Sequence, residues 1–198
     1  IGQEIKMYDD SPSWCVLFNM LTAMYHNNPV KIDIAGTVDS IAKIDDKVLY
    51  TCYNTFYNPA NMFICIAGNI NTTDVINRIK RAIKSHPKID LKRAEIYEPE
   101  SVISGFVEKN LEVAMPLFCY GYKQDLKNRE LTLHDNIAMN AFLKVLADDA
   151  SPLYKRLTDL KLINDEFDAE YFCGKSYAAV IFEGESSAPE SVAEEINK

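Results

Sequence analysis

The sequence predicts an α+β protein in layers, with helices on one face of a mixed, mostly antiparallel sheet. Three observations carry this. Over 198 residues, 47% are hydrophobic and 25% charged, the balance of a chain that buries an ordinary core. Helix-period segments and short apolar runs follow one another in the order helices, strand, helix, linker, strands, helices, strands, helix. The longest apolar runs, Met62 to Gly68 and Val113 to Tyr122, are strand-sized. They fall far short of the ~18 residues of a membrane-spanning helix, so no membrane role is expected.

Ile1 to Asp9 reads as the end of a helix, stopped by Asp9-Asp10-Ser11-Pro12. Ser11 then offers an N-cap and Pro12 a first-turn proline for a helix to about Tyr25, with Val16, Met20, Ala23 and Met24 on its apolar face. Asn27, Asn28 and Pro29 break it. Thr37 and Asp39 open a short helix, and Asp45 opens another that carries Val48, Leu49, Cys52 and Phe56. Met62 to Ala67, ended by Gly68, reads as a buried strand. Thr72 is the expected cap of a helix to about Lys84, with Val75, Ile76, Ile79 and Ile83 inward.

Residues 85–101 hold two prolines among many charges and read as a linker. It divides the chain into 1–84 and 102–198. Gly105 to Lys109 and Val113 to Tyr122 are expected as adjacent strands turning at Asn110. Leu131 to Ala147 is an amphipathic helix, and Pro152 to Leu162 a second one capped by Ser151. Glu170 to Cys173 and Tyr177 to Glu183 form a hairpin about Gly174-Lys175, and Pro189 begins a last helix.

The 21 basic and 29 acidic residues leave a net charge of −8. Nucleic-acid binding wants the opposite sign, because it is driven by neutralising phosphates. The basic cluster Arg78, Lys80, Arg81 and Lys84 reads as a solvated helix face, with Lys92 and Arg93 beyond it. Five cysteines, Cys15, Cys52, Cys65, Cys119 and Cys173, are odd in number and lack CxxC spacing. They read as buried free thiols of a reducing compartment, which places the protein in the cytoplasm. No basic stretch leads into an apolar one as an export signal would. The chain opens on Ile1 with a helical pattern already running, as a piece of a longer or processed polypeptide would.

Chemistry-bearing motifs are few. His26, His86 and His134 have no metal-ligand spacing, and no Gly-rich phosphate loop or GxSxG elbow occurs. Two stretches are more telling. Phe56-Tyr57-Asn58-Pro59-Ala60-Asn61-Met62, followed by Phe63 to Ile70, resembles the "FYxPxNM…GD" signature of the insulinase family, the inverted-zincin or M16-type metallopeptidases. Upstream, Pro29 and Ile34-Ala35-Gly36-Thr37 with Ser40-Ile41 resemble that family's "HP…PILGT.ESI" segment. The overall likeness is to a bacterial, processing-peptidase-like member.

The resemblance implies LuxS/MPP-like layers and, in the parent, a zinc-dependent endopeptidase built of two homologous domains around a chamber. Residues 1–84 would be the later part of the first domain, and residues 102–198 the earlier part of the second. The family's zinc would polarise a scissile carbonyl, with the Glu of His-x-x-Glu-His as general base. That motif is absent from the sequence, so the chain alone is expected to be inactive and to hold no zinc tightly. Glu4 falls at the position of the family's third zinc ligand. The family's substrate-holding Arg and Tyr positions are occupied by Thr158 and Asn164, with Arg156 read as a surface charge. Peptides or unfolded polypeptides are the implied substrates. A homologous M16-type subunit or a second copy of the chain is the implied partner. The other reading is a non-catalytic partner or scaffold subunit of the same fold.

Overall fold

The computed structural model describes residues 1–83, 90–92, 94–127 and 129–198. Two compact units emerge: Ile1–Thr37 together with Ile96–Lys198, and Val38–Glu95. The chain leaves the first unit after Thr37 and rejoins it at Ile96. Lys84, His86 and Arg93, and much of the expected linker, lie outside the described residues.

In the first unit, α1 (Gly2–Asp9) ends where the Asp10 N–H turns back to the Lys6 carbonyl. Helix α2 (Pro12–Met24) restarts with Pro12 in its first turn. Ser11 holds the expected cap position through its backbone alone; its side chain makes no cap bond. The three strands of the sheet are β1 (Leu117–Lys123), β2 (Asp168–Cys173) and β3 (Ala178–Glu185), in the order β1-β3-β2 and antiparallel throughout. The expected hairpin is β2–β3, closed by the Gly174 N–H donating to the Tyr177 carbonyl at 2.9 Å. A Cβ on Gly174 would lie 2.5 Å from the Tyr177 ring, so the turn admits only glycine without rearrangement.

Alternation along the strands sorts the two faces. Phe118, Phe182 and Val180 meet α6 (Leu133–Ala147), α7 (Pro152–Asp159) and α8 (Pro189–Ile196) through Ala147, Leu153, Leu157 and Val192. Ala179 and Ile181, on the other face, receive Leu21, Met24 and Tyr25 from the α2 end. Thus α6–α8 share one face and α2 adds a layer on the other. Helix starts follow local chemistry: Thr132 and Asp135 close a reciprocal capping box at α6, and the Ser151 hydroxyl accepts from the Tyr154 N–H at α7.

Gly105–Lys109 and Val113–Pro116 take no strand conformation, correcting the expectation of an extra strand and a longer β1. The ladder starts only after Pro116, which has no N–H to give it. Residues 105–109 have no partner strand among the described residues.

The second unit contains α3 (Val38–Ile41), α4 (Asp46–Phe56) and α5 (Thr72–Ala82). Asp45 caps α4 as expected, accepting from the Val48 N–H at 2.9 Å. The cap of α5 is Asn71 rather than Thr72, because the Asn71 side chain reaches the Asp74 N–H. Met62–Ala67 is not a buried strand but an irregular, exposed run, with Phe63 90% exposed. An apolar run becomes a strand only when another backbone takes up its N–H and C=O groups, and none of the described residues does so here. The expected inward face of α5 is likewise open at Ile76 and Ile83 and half-buried at Val75 and Ile79, and α4 leaves Val48, Leu49 and Phe56 exposed.

The five thiols are free. Cys15 is buried and Cys119 and Cys173 are half-buried, whereas Cys52 and Cys65 are exposed, against the expectation of burial. No helix among the described residues is long and apolar enough to cross a membrane.

Candidate functional site

Glu4 lies exposed in the first turn of α1, a helix rooted by buried Ile5 and packed on α2. Among the described residues, no three His, Cys, Asp or Glu side chains come together as a metal site. A tetrahedral zinc needs at least three protein ligands, so the donors present do not fit a zinc ion on their own.

Thr158 lies on α7, which packs on the other face of the sheet, and Asn164 in the loop that follows. Thr158, exposed in the last turn of α7, donates its hydroxyl to the Tyr154 carbonyl at 2.9 Å, a bond internal to the helix. Lys161, at φ 57°, turns the chain out of α7 toward Asn164. The Asn164 amide donates to the Glu185 carboxylate at 2.8 Å and its oxygen accepts from the Glu166 N–H at 3.1 Å. Asn164 therefore holds a loop against the β3 end. Arg156 is not a free surface charge: it donates to both the carboxylate and the main-chain carbonyl of Glu195 on α8. Glu4 thus stands on α1 against α2, Thr158 and Arg156 on α7, and Asn164 in the loop at the β3 end, and no bond among the described residues links Glu4 to the other three.

A groove of about 750 Å³ runs between α2, the 102–117 segment, β1 and α8. Met20, Met24, Phe106, Val113 and Leu117 make it largely apolar. On its floor the Cys119 thiol is pushed up to about 12 by burial and by the neighbouring Glu183 carboxylate, so it stays protonated and a poor nucleophile. Across β3 from it, on β2, partial burial and then Glu183 and Asp168 raise the carboxyl of Glu170 above its ordinary range, although much of that residue is exposed. Neither spacing nor motif announced this acidic strip, because it forms only when β2 and β3 are in register.

The family model described as the Peptidase M16 inactive domain matches residues 43–198. The chain belongs to the M16 peptidase family. Its M16 relatives include the uncharacterised zinc protease YmfH of Bacillus subtilis, 35% identical over the whole of this chain and 47% of that protein. The uncharacterised zinc protease YmxG of the same organism is 27% identical over 72% of this chain and 34% of its own length. Among solved structures, an M16-like peptidase from Alicyclobacillus acidocaldarius superposes with a TM-score of 0.88 at 30% identity, over 99% of this chain and 47% of that one. A protease from Helicobacter pylori shares the fold at a TM-score of 0.77 and 20% identity, over 96% of this chain and 47% of that one. This M16 chain thus spans about half the length of those two structures and of YmfH.

Proposed function

We propose that this chain is part of a zinc-dependent M16 endopeptidase that cleaves peptides or unfolded polypeptides, and that the part is inactive by itself. The observation that carries this reading is the 35% identity to a named zinc protease along the whole chain, which covers only 47% of that relative. Residues 1–84 would come from the later part of the first peptidase-like domain, 85–101 from the connection, and 102–198 from the earlier part of the second. The lack of His-x-x-Glu-His in the sequence agrees with an inactive part. Zinc would then depend on ligands outside this chain, with Glu4 as the one residue here that could join them. The free thiols suit a cytoplasmic setting.

A second reading is a non-catalytic partner or scaffold subunit beside a homologous M16-type subunit. It draws on the family model's description as an inactive domain, and on Thr158 and Asn164 standing where the resemblance expects Arg and Tyr.

The test measures zinc content and hydrolysis of an unfolded polypeptide for this chain and for its full parent polypeptide. The expected result is neither zinc nor turnover for the chain, and zinc-dependent turnover for the parent. Stoichiometric zinc and turnover by the chain alone would sink the proposal, and a parent without His-x-x-Glu-His would decide for the scaffold reading.

A further inference from the structure

The most heavily bonded polar cluster of the first unit has no role in the reading above. Lys123, at the end of β1, and Glu98, just after the chain rejoins this unit, form an ion pair at 2.6 Å with side chains only 5% and 12% exposed. The Lys123 ammonium also lies 3.1 Å from the Met24 carbonyl, 2.6 Å from that of Pro99 and 3.0 Å from that of Ser101. The Tyr25 ring centroid is 5.0 Å away. Glu98 in turn accepts from three successive backbone N–H groups, those of His26, Asn27 and Asn28, at 2.8, 2.7 and 2.8 Å.

Each charge is therefore matched on every side. A buried ion pair that loses one partner leaves the other uncompensated, which makes such a pair sensitive to single deletions. Its place in the chain gives this consequence. Residues 26–28 precede the departure of the chain at Thr37, and residues 97–101 follow its return at Ile96. The Asn27 side chain adds a bond to the Tyr97 carbonyl at 2.9 Å, and the Asn28 side chain ties the same corner to the Ser176 carbonyl at 3.0 Å.

We propose that the Glu98–Lys123 pair is a clasp that joins the outgoing and returning chain. In this role it keeps residues 1–37 docked on residues 96–198 whether or not the intervening 38–95 segment is continuous. The side chains act together: Glu98 gathers the outgoing backbone, and Lys123 gathers both the α2 end and the returning segment onto β1.

The test cuts the full chain once, at a specific protease site introduced within the exposed run 62–67. The association of the two pieces is then measured by size exclusion and titration. The pieces should stay together in the wild type. Lys123→Met should weaken their association on the order of tenfold or more, the loss of charge-assisted bonds to a buried partner. Lys155→Met, at an exposed position on α7, should leave it unchanged. Pieces that separate freely in the wild type, or equal affinity in Lys123→Met, would overturn the proposal. Should Lys123→Met fail to fold, Glu98→Gln serves with hydrogen exchange as the readout. Exchange at the His26, Asn27 and Asn28 amides should rise several-fold while β3 amides keep their protection. Unchanged protection at those three amides would refute the clasp.

Discussion

Arg156 on α7 and Glu195 on α8 are joined twice, by a 2.9 Å bond to the carboxylate and a 2.8 Å bond to the main-chain carbonyl. The guanidinium fork thereby adds a side-chain donor to a carbonyl in the last turn of α8 that also accepts from the Lys198 N–H at 3.3 Å. Arg156→Ala should lower the urea midpoint and speed exchange in α8, whereas Thr158→Ala, which loses only a bond within α7, should change little. Equal midpoints for wild type and Arg156→Ala would refute this anchoring.

Gly121 lies where α2 crosses β1. A Cβ there would meet the Val180 carbonyl oxygen at 3.0 Å, Met20 Sδ at 3.2 Å and Met24 Cε at 3.2 Å. Gly121→Val overfills this contact and should cost about 1–3 kcal/mol of stability, read by denaturant unfolding. A variant as stable as the wild type would mean that α2 stands off further than the structure places it.

Glu170 offers a pH test. Its folded-state carboxyl is raised by burial and by Glu183 and Asp168, so folding is favoured while it is protonated and loses that support as pH rises through the raised value. Glu170→Gln should therefore raise the melting temperature at pH 7, and the gain should fade at pH 4. A constant gain at both values would show that charge is not its source.

The thiols should separate by rate. Cys52 and Cys65 are exposed, Cys15 is buried, and Cys119 is held protonated to about 12. A chromogenic disulfide reagent should titrate Cys52 and Cys65 quickly in the native chain, and all five thiols after denaturation. Fast modification of Cys119 would contradict its environment, and fewer than five reactive thiols would reveal a disulfide.

Much of the fold was legible in short stretches. Pro12 in the first turn, the Ser151 cap and Gly174 in the hairpin turn act on backbone groups within a few residues, so their effect can be read from adjacent letters. The M16 signature around Phe56 to Met62 was legible in the same way. The candidate site was less so. Glu4, Thr158 and Asn164 could be placed by resemblance, but nothing in the letters showed that Thr158 bonds back into its own helix or that Asn164 braces Glu185.

The sequence by itself determined where most helices begin, that β2 and β3 pair, and to which family the chain is alike. Tertiary structure alone decided that Met62–Ala67 forms no strand, that Arg156 serves α8, and that Lys123 meets Glu98 across 25 residues of chain. The physical reason is range. A cap or a tight turn closes its hydrogen bonds locally, whereas a strand, a buried charge or an apolar helix face is stable only once a distant segment supplies the matching backbone, counter-charge or cover.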